Sequence, residues 1–382
     1  MTRLDSLTGL RFIAAAMIVV HHIQGLVWLP TNNIGGNLSS GVSFFFCLSG
    51  FVLHYANRRQ AANLHLPEFY FVRFMRLWPA HLAGLLLVLI IFYQVGMWTW
   101  LINNKTTTQL LSVIFLMQAW VPNSEYYFAW NDPSWSISTE FAFYLAFPLL
   151  CRAVIVRPLF SLAFVYAIIG IYLWIASTWL YAPAIPGNVA GLAYINPIAR
   201  FGEFAIGVVA CEYMLRRKPT VSPVMANAME LALVAAVIVG IWFVPRLIAP
   251  WLSDLHPVVR VWANTCYLAP IFCMVIAVYG MQKGWLSRAL AHPVLVWLGN
   301  ISFALYLVHQ PILKGFARFA PGNGWVEFPI FVVITLLISA AIYHGIEMPA
   351  LRAAKRWVKV ATPQIKPASR TVPAPPSPPP PR

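Results

Sequence analysis

An arginine and a histidine in one apolar run are the first residues of this sequence whose types could do chemistry. The run reads LRFIAAAMIVVHHIQ over residues 10–24, with Arg11 near its start and His21 and His22 near its end. From Arg11 to His22 a helix makes three turns plus about 20°, so the two share one face, with His22 ~16 Å further along the axis. His21 points about 100° away and does not share that face. A histidine can take a proton from a hydroxyl, and an arginine in lipid is costly unless something uses it.

Three other stretches carry groups of the same kind. NDPSWSISTEFAFYL places Glu140 with Ser136 and Tyr144 on one side of a helix, with Asp132 as its expected N-cap and Pro133 at its first position. LGNISFALYLVHQPI puts Ser302, Tyr306 and His309 at i, i+4 and i+7, a polar stripe on one face. FYFVRFMRLWPAH sets Arg73 and Arg76 three apart on an expected interfacial helix that ends before Pro79, where paired guanidiniums can clamp phosphate oxygens. Each group also has a plain structural reading. Arg11 can snorkel, hydroxyls and imidazoles can bridge helices, and the arginine pair can hold anionic lipid. Together they form a gradient, with basic residues at one end and an acid/base centre of His22, Glu140 and His309 deeper in.

The elements that must position these groups follow from composition. Of the 382 residues, 60% are hydrophobic and only 10% charged, which excludes an ordinary soluble domain. With roughly 20 apolar residues per crossing, the expected fold is all-α, a polytopic transmembrane helix bundle of about ten spans. The spans are expected near 9–29, 39–56, 79–97, 135–151, 158–181, 194–215, 224–244, 261–282, 293–313 and 327–347. The run 109–120 is too short to cross and is expected to be re-entrant or interfacial. Similar runs recur along the whole chain, which argues against reading the first as a cleaved signal peptide.

Net charge is +15, and nucleic acid is excluded as its explanation by where the charges fall. Ten spans starting inside put Arg58, Arg59, Arg73, Arg76, Arg152, Arg157, Arg216, Arg217, Lys218 and the basic C-terminal tail on one side, as the positive-inside rule requires. Both termini are therefore expected in the cytosol. Residues 1–350 are expected as one membrane domain and 351–382 as a basic, proline-rich disordered tail. Cys47, Cys151, Cys211, Cys266 and Cys273 lack paired or metal-ligand spacing and read as small core hydrophobes, so no metal site is expected. Arg200 and Glu203 read as a structural i, i+3 pair, and His344 and Glu347 as exposed boundary residues.

The order of LDSLTGLRFIAAAMIVVHH, FFFCLSGFVL, FYFVRFMRLWPAH, WSISTEFAFYL and ISFALYLVHQPI resembles the membrane-bound acyltransferase 3 family over about residues 1–350. The resemblance implies an integral membrane O-acyltransferase that uses acetyl-CoA to modify sugars of exopolysaccharide, lipopolysaccharide or peptidoglycan, or in some cases small molecules. By motif, Arg11 and His22 match the family's Arg-x10-His pair, Arg73 and Arg76 its basic motif, and Glu140 the glutamate of its Trp-Ser-x-Ser-x-Glu stretch. Many relatives have a second glutamate where this chain has Phe141, and some carry an appended hydrolase-like domain that is not expected here.

The resulting expectation is a bacterial inner-membrane enzyme with His22, Glu140 and His309 as catalytic residues and Arg11, Arg73, Arg76, Ser136 and Tyr306 as substrate-binding residues. It would bind no permanent cofactor and would use acetyl-CoA as acyl donor. Expected partners are acetyl-CoA, a glycan or lipid-linked oligosaccharide acceptor, membrane lipids and polysaccharide assembly proteins. The alternative is a proton-coupled transporter using the same buried Arg, His and Glu residues as a relay, against which the missing internal repeat counts. A glycosyltransferase would want clustered acids, and the 11 Asp and Glu residues form no tight cluster.

Overall fold

A computed structural model of the chain describes residues 3–23, 36–94, 96, 106–319 and 324–361. The described residues are helical with no strand, as the apolar runs and the need to satisfy backbone groups in lipid require. Nine stretches among them are long and apolar enough to cross a membrane. The chain is a multi-pass helical membrane protein.

The helices that build the site are α1 (Asp5–Ile23), α2 (Gly41–Asn57), α3 (Leu66–Gln94), the short α4 (Thr107–Ile114), α5 (Trp135–Val156), α6 (Pro158–Ile175) and α7 (Pro197–Arg217). After them come α8 (Pro223–Trp242), α9 (Pro257–Cys266), α10 (Ala269–Gly280), α11 (Pro293–Phe319), α12 (Gly324–Ile342) and α13 (Met348–Ala361). Their ends sort into two layers. At one end, here the basic end, Arg152 donates to Ala61 O, Arg58 to Glu212, Lys283 to Val221 O and Gln282 to Arg3 O. At the far end, Tyr127 donates to Gly187 O, and Lys314 pairs with Asp132 at 2.8 Å. Asp132 thus holds a lysine instead of capping a helix.

The one expected span outside these nine stretches, 194–215, forms α7, whose 21 residues are long enough for a crossing but carry Arg200, Glu203, Glu212, Arg216 and Arg217. It is tolerated in the centre of the bundle because its charges are matched by protein. Arg200 donates to Glu203 at 2.6 and 3.1 Å, to Tyr194 O and to Ser43 Oγ. Glu212 accepts from Arg58 and Arg216 and pairs with His54 Nε2 at 2.8 Å. Packing against α2 is backbone-close: a Cβ at Gly207 would collide with the carbonyl oxygen of Cys47, the small-residue contact that lipid-embedded helices favour.

Three sequence expectations need correction. Pro79 does not end a helix, because α3 runs unbroken through it for 29 residues. A proline inside a membrane helix costs little when neighbouring helices cover the freed carbonyl. The tail does not begin at residue 351: α13 continues to Ala361, and Trp357 of α13 packs on Phe71 of α3 with ring centroids 4.9 Å apart. Residues 362–382 lie outside the described residues. Glu347 is fully buried, not exposed, and pairs with Arg76. A π-turn over Tyr343–Glu347 between α12 and α13 carries it, the kind of one-residue insertion that re-aims a side chain. The run 109–120 forms only the eight-residue α4 and a 3-10 turn, tucked against α3 and α5 by Trp78 Nε1 to Ile114 O and Ser138 Oγ to Leu116 O.

Candidate active site: two chambers with a shared wall

All the expected site residues except His309 line two chambers stacked along the bundle. The first, of about 200 Å³, lies toward the basic end and is lined by Arg11, Arg73, Arg76, Ser49, Ser136, Glu140, Tyr144, Phe303 and Tyr306. The second, of about 300 Å³, lies toward the far end and is lined by His21, His22, Ser39, Asp132, Trp135, Tyr194, Tyr306 and Gln310. Val42 and Tyr306 belong to both.

The spacing of α1 explains why Arg11 and His22 fall in different chambers on one helix face. They face the same interior surface at depths ~16 Å apart. Three guanidiniums converge in the first chamber. Arg76 is neutralised by Glu347, and its guanidinium lies 5.9 Å from the Phe303 ring centroid. Arg73 lies over Phe69 and Tyr144 at 5.7 and 6.0 Å, and its buried Nε has no hydrogen-bond partner. A buried unpaired donor on a charged group is costly. With only Glu140 as a further acid in its lining, the first chamber is cationic on balance and suited to an anion.

In the second chamber His22 Nδ1 and His309 Nε2 are 2.9 Å apart, the rings tilted at 36° with centroids 5.0 Å apart. The tautomers follow from the neighbours. His309 Nδ1 lies 3.3 Å from Leu305 O, and a carbonyl can only accept, so that nitrogen carries the proton. In the neutral ring Nε2 of His309 is then the acceptor, His22 Nδ1 is the donor, and His22 Nε2 keeps its lone pair. A proton taken by His22 Nε2 would leave an imidazolium whose Nδ1–H still points at His309, so the charge is stabilised by a hydrogen bond already in place. Such an arrangement has the chemistry needed for a general base with an orienting partner.

Glu140 is not that partner. Its Oε1 accepts from Ser49 Oγ and from Tyr144 Oη, both at 2.6 Å, within the first chamber. The structure therefore corrects the expected acid/base centre: His22 and His309 come together, while Glu140 joins the arginines. Its shared face with Ser136 and Tyr144 is as expected, but its depth is not: the carboxylate lies with Arg11, Arg73 and Arg76 and not level with His22. Between the two groups stand Ser136 and Tyr306, with Ser136 Oγ and Tyr306 Oη 2.8 Å apart. Ser302, on the same stripe as Tyr306 and His309, bonds only to Gly299 O and lines neither chamber.

Several contributors escaped the sequence reading. From the sequence Glu347 reads as exposed and Arg200 as a local pair. In fact Arg200 also stacks its guanidinium 5.9 Å from Trp135 and 5.1 Å from Tyr194, two walls of the second chamber. The signal for Glu347 was available: in an apolar chain with so few acids, a glutamate at the end of a span needs a named cation.

Comparison with known proteins agrees with this architecture. The acyltransferase 3 family model, described as an acyltransferase domain, matches residues 4–344. The chain belongs to the acyltransferase 3 family. It is 30% identical over 387 aligned residues to the acyltransferase MdmB of Streptomyces mycarofaciens, covering 94% of this chain and 95% of that one. It is 24% identical to the peptidoglycan O-acetyltransferase OatA of Listeria monocytogenes across 90% of this chain, and spans 55% of OatA's length. Putative O-acetyltransferases of Staphylococcus aureus are 22% identical across 91% of this chain and 57% of theirs. No solved structure matches. This acyltransferase 3 protein is accordingly a membrane acyltransferase.

Proposed function

We propose that this protein moves an acetyl group from acetyl-CoA on the cytosolic side to a sugar hydroxyl of an extracytoplasmic polysaccharide or its lipid-linked precursor. The observation that carries this reading is the division of labour between the chambers. A cationic cavity at the basic end and a histidine base toward the far end share a wall.

The positive-inside rule supports a cytosolic basic end in a bacterial plasma membrane. There Arg73, with its unpaired Nε, and Arg11 would hold phosphate oxygens of the donor, and Arg76 would be held in place by Glu347. A cavity of about 200 Å³ is below the range of roughly 300–1,000 Å³ typical of sites that enclose a drug-sized ligand. It suits the thioester end of the donor arm, with the nucleotide left at the mouth. From the far side an acceptor hydroxyl would reach His22 Nε2, which removes its proton as the oxygen attacks the thioester carbon. OatA and the staphylococcal relatives are named O-acetyltransferases, which supports an acetyl group and an oxygen acceptor.

Membrane vesicles of defined orientation test this directly. Labelled acetyl-CoA supplied to inside-out vesicles is expected to label glycan in the lumen, and the same label supplied to right-side-out vesicles is not. A His22→Ala protein that is folded and still transfers label at the wild-type rate refutes the assignment of the base.

A further inference from the structure

The wall shared by the chambers is a hydrogen-bonded triangle with one donor too many. Ser136 Oγ lies 3.0 Å from Pro133 O, Tyr306 Oη lies 3.0 Å from the same oxygen, and the two hydroxyls are 2.8 Å from each other. The backbone N–H of Trp135 also points at Pro133 O. A carbonyl oxygen has two lone pairs, and here three donors compete for them. The Trp135 N–H by itself keeps Pro133 O paired, so both hydroxyls can turn to a new oxygen without leaving that buried acceptor unsatisfied.

The place of this surplus donor matters. Ser136 faces the first chamber, Pro133 the second, and Tyr306 both. The ring centroid of Tyr306 is 5.9 Å from that of His309, which holds His22. Both hydroxyls are on rigid spanning helices, α5 and α11, and both residues are buried. Tyr306 is shared by the arginine-lined and histidine-lined chambers, so a group crossing between them at the shared wall meets this pair.

We propose that Tyr306 and Ser136 are the oxyanion donors of the acyl transfer. The inference rests on the proposed thioester donor and assigns a function to the wall itself. As the acceptor oxygen forms its bond to the thioester carbon, the C=O π pair moves onto the carbonyl oxygen and the acceptor proton goes to His22 Nε2. The hydroxyls of Tyr306 and Ser136 turn from the triangle to that oxygen. On collapse the C=O re-forms, the C–S bond breaks with its electron pair on sulfur, and the thiolate takes the proton from the His22 imidazolium. Such donors act only where charge develops, and removal of one costs on the order of 10²-fold in rate.

The test uses the purified full chain in detergent and two ligands, acetyl-CoA and its trifluoromethyl ketone analogue, whose electron-poor carbonyl adds water, with one water proton passing to His22, to give a tetrahedral oxyanion. Calorimetric binding by the wild type is expected to favour the analogue by roughly 10²-fold or more, as transition-state mimics do. Tyr306→Phe and Ser136→Ala are each expected to bind acetyl-CoA within about twofold of wild type and to lose at least about tenfold of the analogue preference. A preference that survives in both variants overturns the proposal. So does a parallel loss of affinity for both ligands, which marks the hydroxyls as structural. Failure of the wild type to bind either CoA compound would instead refute the donor reading, and this inference with it.

Discussion

His309→Ala is the substitution whose effect can be worked most fully from the structure. His309 is completely buried and lines neither chamber; its Nε2 accepts the proton of His22 Nδ1 at 2.9 Å. In the resting enzyme this is a bond between neutral rings, but once His22 has taken the acceptor proton the donor is a cation. A hydrogen bond involving a charged group contributes about 1.5–3 kcal/mol, against about 1 for a neutral one. Alanine removes the larger amount from the transition state and the smaller from the ground state. Only the difference, about 0.5–2 kcal/mol, raises the barrier, which at 1.36 kcal/mol per decade corresponds to a fall in kcat of roughly 2- to 30-fold. The KM for acetyl-CoA is expected to stay within about twofold, because neither histidine lines the arginine chamber. Glutamine at 309, whose amide oxygen can accept the same proton, is expected to recover most of the loss and to control for the cavity left by alanine. Release of CoA thiol at varied acetyl-CoA, with folding checked by gel filtration in detergent, gives both constants. An alanine variant with wild-type kcat, or one that raises KM at unchanged kcat, refutes the dyad.

Three further outcomes are expected. Arg73→Gln removes a cation that has no salt bridge in the first chamber, so the KM for acetyl-CoA should rise at least tenfold with a smaller change in kcat, in steady-state assays across donor concentration. Glu347→Gln strands the buried Arg76 charge and should cost about 3–5 kcal/mol of unfolding free energy in SDS titration of mixed micelles. The double variant Arg76→Gln, Glu347→Gln should recover much of that stability but not donor binding. Gly207→Leu should separate α2 from α7 and abolish folded protein, read as aggregation on detergent extraction, because its side chain has no room beside the Cys47 carbonyl.

Much of this protein was written locally in the sequence. Apolar runs of spanning length fix the helices. The 3.6-residue period puts Arg11 and His22 on one face, and the 1.5 Å rise puts them at different depths. The same arithmetic aligns Tyr306 with His309, and Glu140 with Tyr144, which the structure joins at 2.6 Å. These are properties of single helices, so no neighbour is needed to read them.

What only the tertiary structure decided is who faces whom. The axial register of α5 against α1 and α2 puts Glu140 beside Ser49 and the arginines rather than beside His22, and the packing of α1 on α11 gives His22 an imidazole instead of a carboxylate. Glu347 is drawn to Arg76 across 271 residues of chain by a π-turn that no periodic pattern marks. Helical period and rise are set by the backbone alone, whereas the azimuth of each helix is set by its neighbours. Depth along one helix could therefore be counted from the sequence, whereas the level of one helix against another, and partnership, had to be seen.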